Sequence, residues 1–236
     1  MSLSLYILLM GVQGSGKGTQ AAFLQNETNI PHVSTGDLFR AMRNRTDDLA
    51  RSIQETMAAG RLISDQQTNE VVKDRLAQPD AANGAILDGY PRTIPQAEWL
   101  ENHLSEQGKK LNAVILLQLD PYMAFKRTFG RVGAKGEYNI YYNNEGVEAQ
   151  FVDLDDKKTF PPRLDATLSA TGEKLLRRPD DASADAILKR IDTFMAETQV
   201  LIPYYRQKRL LYEIPAEQPI EVVHFAIKHI VDSVKP

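Results

Sequence analysis

A chain of 236 residues, 42% hydrophobic and 25% charged, is long enough to bury one large core or two small ones. Its formal net charge of −3 excludes a generally basic nucleic-acid surface, so any anionic ligand must be held by locally gathered Arg and Lys. The absence of cysteine excludes disulfides and every cysteine-ligated metal site, and leaves a reducing compartment open.

The four histidines (His32, His103, His224 and His229) make no metal-ligand spacing. His224 and His229, five apart on an expected C-terminal helix, read as surface polar residues. No segment reaches the length of a transmembrane helix, and the N-terminal apolar run is already used by the first strand. The expected location is cytoplasmic, with no membrane and no nucleic acid as partner.

Leu5 to Met10 is an apolar run stopped by Gly11, the mark of a buried parallel strand. Gly11, Gly14, Gly16 and Gly18 fall where this strand turns into a helix, and from Lys17 the pattern becomes helical with Ala21, Phe23 and Leu24. A helix N-terminus has unpaired N–H groups and the positive end of the dipole, so anions settle there. Glycines let the backbone approach phosphate oxygens, and Lys17 can reach them as a point charge. The pattern is GxxxxGK, with Gly18 where Ser or Thr is usual and Thr19 next. The plainer reading is a glycine-rich turn of a dinucleotide-binding fold.

Ile30 to Val33 reads as a short second strand running into Ser34-Thr35-Gly36-Asp37-Leu38-Phe39-Arg40, where Ser34 or Thr35 can cap a helix. A polar helix follows from about Asp48 to Ala58, closed by Gly60. Ser64-Asp65-Gln66-Gln67 is a capping box for a helix whose buried face holds Val71, Val72 and Leu76. Ala85 to Asp88 is a strand ending on a carboxylate, and a helix follows around Gln96 to Leu104. Ala113 to Leu119 is another buried strand. Asp120-Pro121 then caps a helix on which Arg127 and Arg131, four apart, are expected on one face.

From about Val132 to Pro179 the texture changes to Gly, Asn, Tyr and Asp. Tyr138 to Phe151 resembles a hairpin around Asn143-Asn144-Glu145-Gly146. This stretch is expected to be an inserted, more exposed unit. Helix returns after Asp181 with Ile187, Ile191, Phe194 and Leu201. A strand at Leu210 to Ile214 and a helix from Ile220 to Val234 close the chain. Alternating strands and helices predict a doubly wound parallel sheet with its ligand at the C-terminal strand ends.

Two constellations carry chemistry. Asp88, at a strand end, can hold Mg²⁺ through water and so replace the hydroxyl missing after Lys17; the plainer reading is a turn aspartate. Arg40, Arg92, Arg127, Arg131, Arg178 and Arg190 each follow a strand, open a helix or border the inserted unit. Singly they read as surface ion-pair partners; together with the loop they favour phosphate, whose charge in transfer spreads over several oxygens. Asp153, Asp155 and Asp156 lack the glycine and terminal Glu of a calcium loop. Ser15 has no histidine partner that would make it a nucleophile.

Four blocks in order resemble the adenylate kinases, within the nucleoside monophosphate kinases: Gly11-Val-Gln-Gly-Ser-Gly-Lys-Gly-Thr-Gln20, Ser34-Thr-Gly-Asp-Leu-Phe-Arg40, Asp88-Gly-Tyr-Pro-Arg-Thr-Ile-Pro-Gln96 and Arg178-Pro-Asp-Asp181. The resemblance covers the chain outside the inserted unit. It implies an α/β fold, a P-loop doubly wound five-stranded parallel sheet with helices on both faces, plus an AMP-binding helical segment and a lid. The implied organisation is core at 1–33, 64–131 and 180–236, AMP-binding segment at 34–63 and lid at 132–179. The implied activity is reversible transfer of the γ-phosphoryl of Mg·ATP to AMP, giving two ADP, in a monomer whose partners are ATP, AMP and ADP.

By position, the resemblance assigns ATP to Gly14, Ser15, Gly16, Lys17, Gly18, Thr19, Arg127 and Arg131. It assigns AMP to Thr35, Arg40, Arg61, Ile63, Gly89, Arg92, Gln96, Arg178 and Arg190, with Gln96 reading adenine. Lys17, Arg92, Arg131, Arg178 and Arg190 are the implied catalytic set, and Asp88 the water-mediated Mg²⁺ ligand. Three features depart from the family pattern. Val12-Gln13 replaces Pro-Pro, Tyr90 replaces Phe, and the inserted unit lacks the histidine hairpin and cysteines, so no zinc is expected. A UMP or CMP kinase on the same fold is the alternative, disfavoured by Gln96. A nucleotide switch lacks its base-reading N-K-x-D, and an impaired nucleotide-binding protein is hard to reconcile with Lys17, Asp88 and the arginines together.

Overall fold

The computed structural model describes residues 4–42, 44–58, 63–133, 138–142, 144–152, 163–177, 181 and 183–235. Its elements fall into two units. The first comprises residues 1–11, 16–118 and 196–236; the second comprises 12–15 and 119–195. No helix among the described residues is long and apolar enough to cross a membrane.

The first unit is built on a five-stranded parallel sheet. Its strands are β1 (Leu5–Met10), β2 (His32–Ser34), β3 (Gly84–Asp88), β4 (Ala113–Gln118) and β9 (Leu211–Pro215), in the order β2-β3-β1-β4-β9. Successive strand residues point to opposite faces. Tyr6, Leu8 and Met10 therefore pack with Leu87, Val114 and Leu116 on one face. There they meet α4 (Asp65–Leu76), α5 (Ile94–Ser105) and α8 (Leu201–Gln207) through Val72, Leu100 and Tyr205. The other face carries Ile7 and Leu9, fully buried, and receives α1 (Lys17–Thr28) and α9 (Ile220–Val234). Each such Leu or Ile side chain stabilises the fold by about 1.5–3 kcal/mol. In α9 the buried residues are Val223, Ile227 and Val231, a repeat of four that makes one stripe.

Local signals set the helix starts. Ser64 and Gln67 close the reciprocal box of α4, each side chain accepting the other's backbone N–H at 3.2 Å. Thr93 caps α5 by accepting from the Gln96 N–H at 3.3 Å. Ser34 rather than Thr35 caps α2 (Thr35–Met42), accepting from the Asp37 N–H at 3.3 Å. Together with α3 (Asp48–Ala58), α2 encloses a small cluster of Met42, Ala50, Ile53 and Val71.

In the second unit, α6 (Pro121–Phe129) and α7 (Ala184–Thr193) pack around Val12 through Ala124, Phe129, Ile187 and Ile191. The strand pairs β5 (Arg131–Val132) with β6 (Tyr138–Asn139), and β7 (Val147–Val152) with β8 (Arg163–Leu168), are antiparallel. They share a core of Val132, Leu164, Ala166 and Leu175.

Three expectations are corrected here. Tyr138 to Phe151 is not a hairpin: Tyr138–Asn139 pairs backward with Arg131–Val132, and Val147–Val152 pairs forward with Arg163–Leu168, so that each strand pair adds apolar residues to one core. Arg127 and Arg131 do not share a helix face, because α6 ends at Phe129 and Arg131 opens β5. The helical pattern through Phe194 and Leu201 is also broken, by a π-helical turn at Phe194–Thr198 between α7 and α8.

Candidate active site

The parallel register brings the functional residues of the first unit to one sheet end. Leu9 of β1 pairs with Asp88 of β3, and Ser34 of β2 pairs with the same Asp88. The ends of three adjacent strands thus deliver Gly11, Asp88 and Thr35 side by side. Thr35 donates its hydroxyl to the Gly89 carbonyl at 2.9 Å, which ties the second strand–helix turn to the third.

Lys17 sits on the first turn of α1, where Gly16 takes a left-handed φ of 96° that only glycine adopts without strain. Its Nζ donates to the Gly11 carbonyl at 2.6 Å. Gly18 and Thr19 follow on the exposed face of that turn. Asp88 is almost enclosed, with 15% of its side chain exposed, and its Oδ2 lies 3.2 Å from His32 Nε2. Burial alone would raise its pKa, but the His32 hydrogen bond and the charges of Lys17 and Arg92 bring it below the usual carboxylate value.

A carboxylate is a hard oxygen ligand, and Mg²⁺ typically keeps several waters while taking one or two carboxylates besides phosphate oxygens. The second oxygen of Asp88 makes no hydrogen bond among the described residues, which leaves it available to a hydrated cation. The described residues contain no group of three or more His, Cys, Asp or Glu that could hold a metal ion.

Arg92 donates Nε–H to the Gly89 carbonyl at 2.9 Å, and its backbone N–H donates to Gln96 Oε1 at 2.8 Å. Gln96 is 5% exposed, and its Nε2 donates to Asp65 Oδ1 at 2.6 Å. Arg40 holds Asp37 at 2.6 Å, and although burial opposes it, this pairing keeps Asp37 below its ordinary value. Ile63 immediately precedes the cap of α4. Arg61 and Arg178 lie outside the described residues.

In the second unit, Gly14 has φ +83°, and a Cβ there would lie 2.8 Å from Thr128 Oγ1 and 2.9 Å from the Ala124 carbonyl. The loop is therefore seated against α6 at a point where no side chain fits. Ser15 is 3% exposed, and its hydroxyl has no partner among the described residues. Val12 and Gln13, the unusual pair, are accounted for by packing: Val12 is buried, and Gln13 Nε2 donates to the Ile187 carbonyl at 3.1 Å.

The Arg127 guanidinium lies 5.7 Å from the Tyr142 ring centre. Arg131 donates Nε–H and one terminal N–H to Asp181 Oδ2 at 2.9 and 2.6 Å, while Arg190 donates to Oδ1 at 2.9 Å. Asp181 is fully buried. Two guanidiniums are thus fixed close together by one carboxylate.

Sequence reasoning did not single out His32, Asp65 or Asp181 as supports. Asp181 had a signal, since it ends the Arg178-Pro-Asp-Asp block. His32 stands in no metal-ligand spacing and Asp65 lies in a capping box, so neither carries a local mark of its partner.

A family model described as adenylate kinase matches residues 9–210. The chain is 38% identical over 224 residues to adenylate kinase of Moorella thermoacetica, a match covering 94% of this chain and 95% of that protein. It is 36% identical over 230 residues to adenylate kinase of Listeria monocytogenes serotype 4b, covering 96% of this chain and 99% of the relative. Adenylate kinase of Caldanaerobacter subterraneus is 37% identical over 227 residues, 94% of each chain.

Proposed function

The chain belongs to the adenylate kinase family, and on that premise we propose that it transfers the γ-phosphoryl of ATP to AMP, reversibly, giving two ADP. The observation that carries the reading is the pairing of β1 with β3, which sets Gly11, bonded to the Lys17 ammonium, beside the Asp88 carboxylate at one sheet end.

Phosphoryl transfer asks little covalent chemistry of a protein; it asks for alignment of two substrates and neutralisation of charge on the equatorial oxygens. In this reading the backbone N–H groups of Gly14 to Thr19 cradle the ATP phosphates, and Lys17 follows the charge of the group in transfer. Arg127 flanks the ATP base. Arg131, Arg178 and Arg190 neutralise the developing charge. The pair Arg131 and Arg190, held by one buried Asp181, supports this role, because preset guanidiniums need no reorganisation when charge develops.

AMP takes Thr35, Arg40, Arg61, Ile63, Gly89, Arg92 and Gln96, with Arg178 and Arg190 reaching its phosphate. Arg92 is the acceptor-side guanidinium, and Gln96 reads adenine. The segments 34–63 and 132–179 serve as the AMP-binding segment and the lid. Asp88 would hold Mg²⁺ through water, and the ion would supply neutralisation of the ATP phosphate charge.

The reaction is tested from its reverse side. Purified protein given ADP and Mg²⁺ alone should form ATP and AMP in equal amounts until equilibrium. ADP that stays intact, or that loses phosphate to water without forming ATP, would contradict the proposal.

A further inference from the structure

Asp65 opens α4 and makes two side-chain contacts that bear on base selection. Its Oδ1 accepts from Gln96 Nε2 at 2.6 Å, and its Oδ2 accepts from the Thr93 hydroxyl at 3.0 Å. Thr93 in turn accepts from the Gln96 backbone N–H, so Asp65, Thr93 and Gln96 close a ring between the first turns of α4 and α5. On the opposite side, Gln96 Oε1 accepts from the Arg92 backbone N–H at 2.8 Å.

These partners leave the amide only one orientation. A backbone N–H only donates, so the atom facing it must be oxygen; a carboxylate only accepts, so the atom facing it must be nitrogen. The amide then retains one N–H and one oxygen lone pair, on fixed sides. That pair matches a base edge offering a ring-nitrogen acceptor beside an amino donor, as adenine does. It mismatches hypoxanthine or guanine, whose corresponding edge offers an N–H beside a carbonyl oxygen. A freely rotating glutamine amide would satisfy either edge by turning over.

We propose that Asp65 is a positioning residue for acceptor specificity: by holding Gln96 Nε2, opposite the Arg92 backbone N–H that holds Oε1, it completes the clamp that keeps the amide in the orientation that accepts a 6-amino purine and rejects a 6-oxo purine. This rests on the reading of Gln96 as the adenine reader. Tyr90 steadies the same turn, its hydroxyl donating to Asn69 Oδ1 at 2.6 Å and lying 3.3 Å from the Gln96 carbonyl.

The test compares AMP with IMP, which differ only at that edge, as acceptors with saturating Mg·ATP. Asp65→Ala and Asp65→Ser, both too short to reach Gln96, should raise the KM for AMP and lower the AMP-over-IMP ratio of kcat/KM by about tenfold, the order expected when one bidentate base contact is loosened. The KM for ATP should stay near the parent's. Asp65→Asn should restore most of the ratio, because its carboxamide oxygen still accepts from Gln96. An unchanged ratio in folded Asp65→Ala and Asp65→Ser would overturn the proposal and leave Asp65 as a helix-terminal carboxylate only. Gln96→Ala separates the two layers. If it collapses the ratio while the Asp65 variants do not, only the positioning role fails; if it too leaves the ratio intact, the reading of Gln96 itself is wrong.

Discussion

Lys17 reaches back across the loop it terminates, its Nζ 2.6 Å from the carbonyl oxygen of Gly11. The contact places the ammonium at the strand end, and under the proposed function it would meet a phosphate there without a search through rotamers. Lys17→Met keeps the aliphatic stem and removes the charge. Turnover should fall by about 10²- to 10³-fold, the usual loss for one preset donor to transition-state charge. Steady-state kinetics with a melting curve checks this. Near-parent kcat would mean that the phosphates lie elsewhere.

The glycines of the same loop should differ sharply among themselves. Gly14 combines φ +83° with a Cβ position 2.8 Å from Thr128 Oγ1 and 2.9 Å from the Ala124 carbonyl, and the latter cannot move away as a side chain can. At Gly18 a Cβ would meet nothing within 4 Å. Gly14→Ala should lower the melting temperature and raise the KM for ATP, whereas Gly18→Ala should melt with the parent. Equal melting of the two variants would contradict the packing account of this loop.

Much of this was legible in the sequence. The strand-glycine-lysine-helix order, the Ser64–Gln67 box and the Asp120-Pro121 cap are local signals, and each stands where the pattern put it. What the sequence hid was tertiary. Val147–Val152 pairs with Arg163–Leu168 further along the chain, whereas the Asn143-Asn144-Glu145-Gly146 turn signal points to Tyr138–Asn139 as its partner. Arg131 looked helical by its spacing from Arg127, but Gly130 caps α6 after Phe129. The partners of the site side chains were equally hidden: that Asp181 gathers Arg131 and Arg190, or that Asp65 holds Gln96, follows from packing across elements far apart in the chain.

Asp181 should matter to the stability of its unit as well as to chemistry. It is fully buried and answers two guanidiniums, whose side chains are 22% and 39% exposed. Removing one partner of a buried pair usually costs about 3–5 kcal/mol, and the partial exposure of both arginines argues for the low end. Urea unfolding of Asp181→Ala should show that loss. A midpoint equal to the parent's would mean that solvent already satisfies both arginines.

Alkaline pH should unfold the protein through two buried tyrosines. Burial, and then the Asp65 carboxylate, pushes the Tyr90 pKa far above its usual 10.0; burial and Glu101 do the same at Tyr205. The unfolded chain releases these protons near pH 10 while the folded one keeps them. Stability is therefore intact below pH 10 and lost as pH rises from there toward the folded-state values. Tyr205→Phe should make that decline shallower, and at pH 7 should cost little, since the Tyr205 hydroxyl has no partner among the described residues. Tyr90→Phe should cost about 0.5–1.5 kcal/mol at pH 7 for its bond to Asn69. Guanidinium unfolding at pH 7 and pH 11 reads both effects. An unchanged slope in Tyr205→Phe would contradict the assignment.

The most direct measurement is a panel of AMP, UMP, CMP and GMP offered as acceptors with Mg·ATP, following ADP and each acceptor diphosphate. The account predicts rapid conversion of AMP to ADP, with the other three slower by at least the roughly tenfold that one base contact supplies. Comparable transfer to UMP or CMP would contradict the reading of the acceptor site, and no transfer to any of the four would contradict phosphoryl transfer itself.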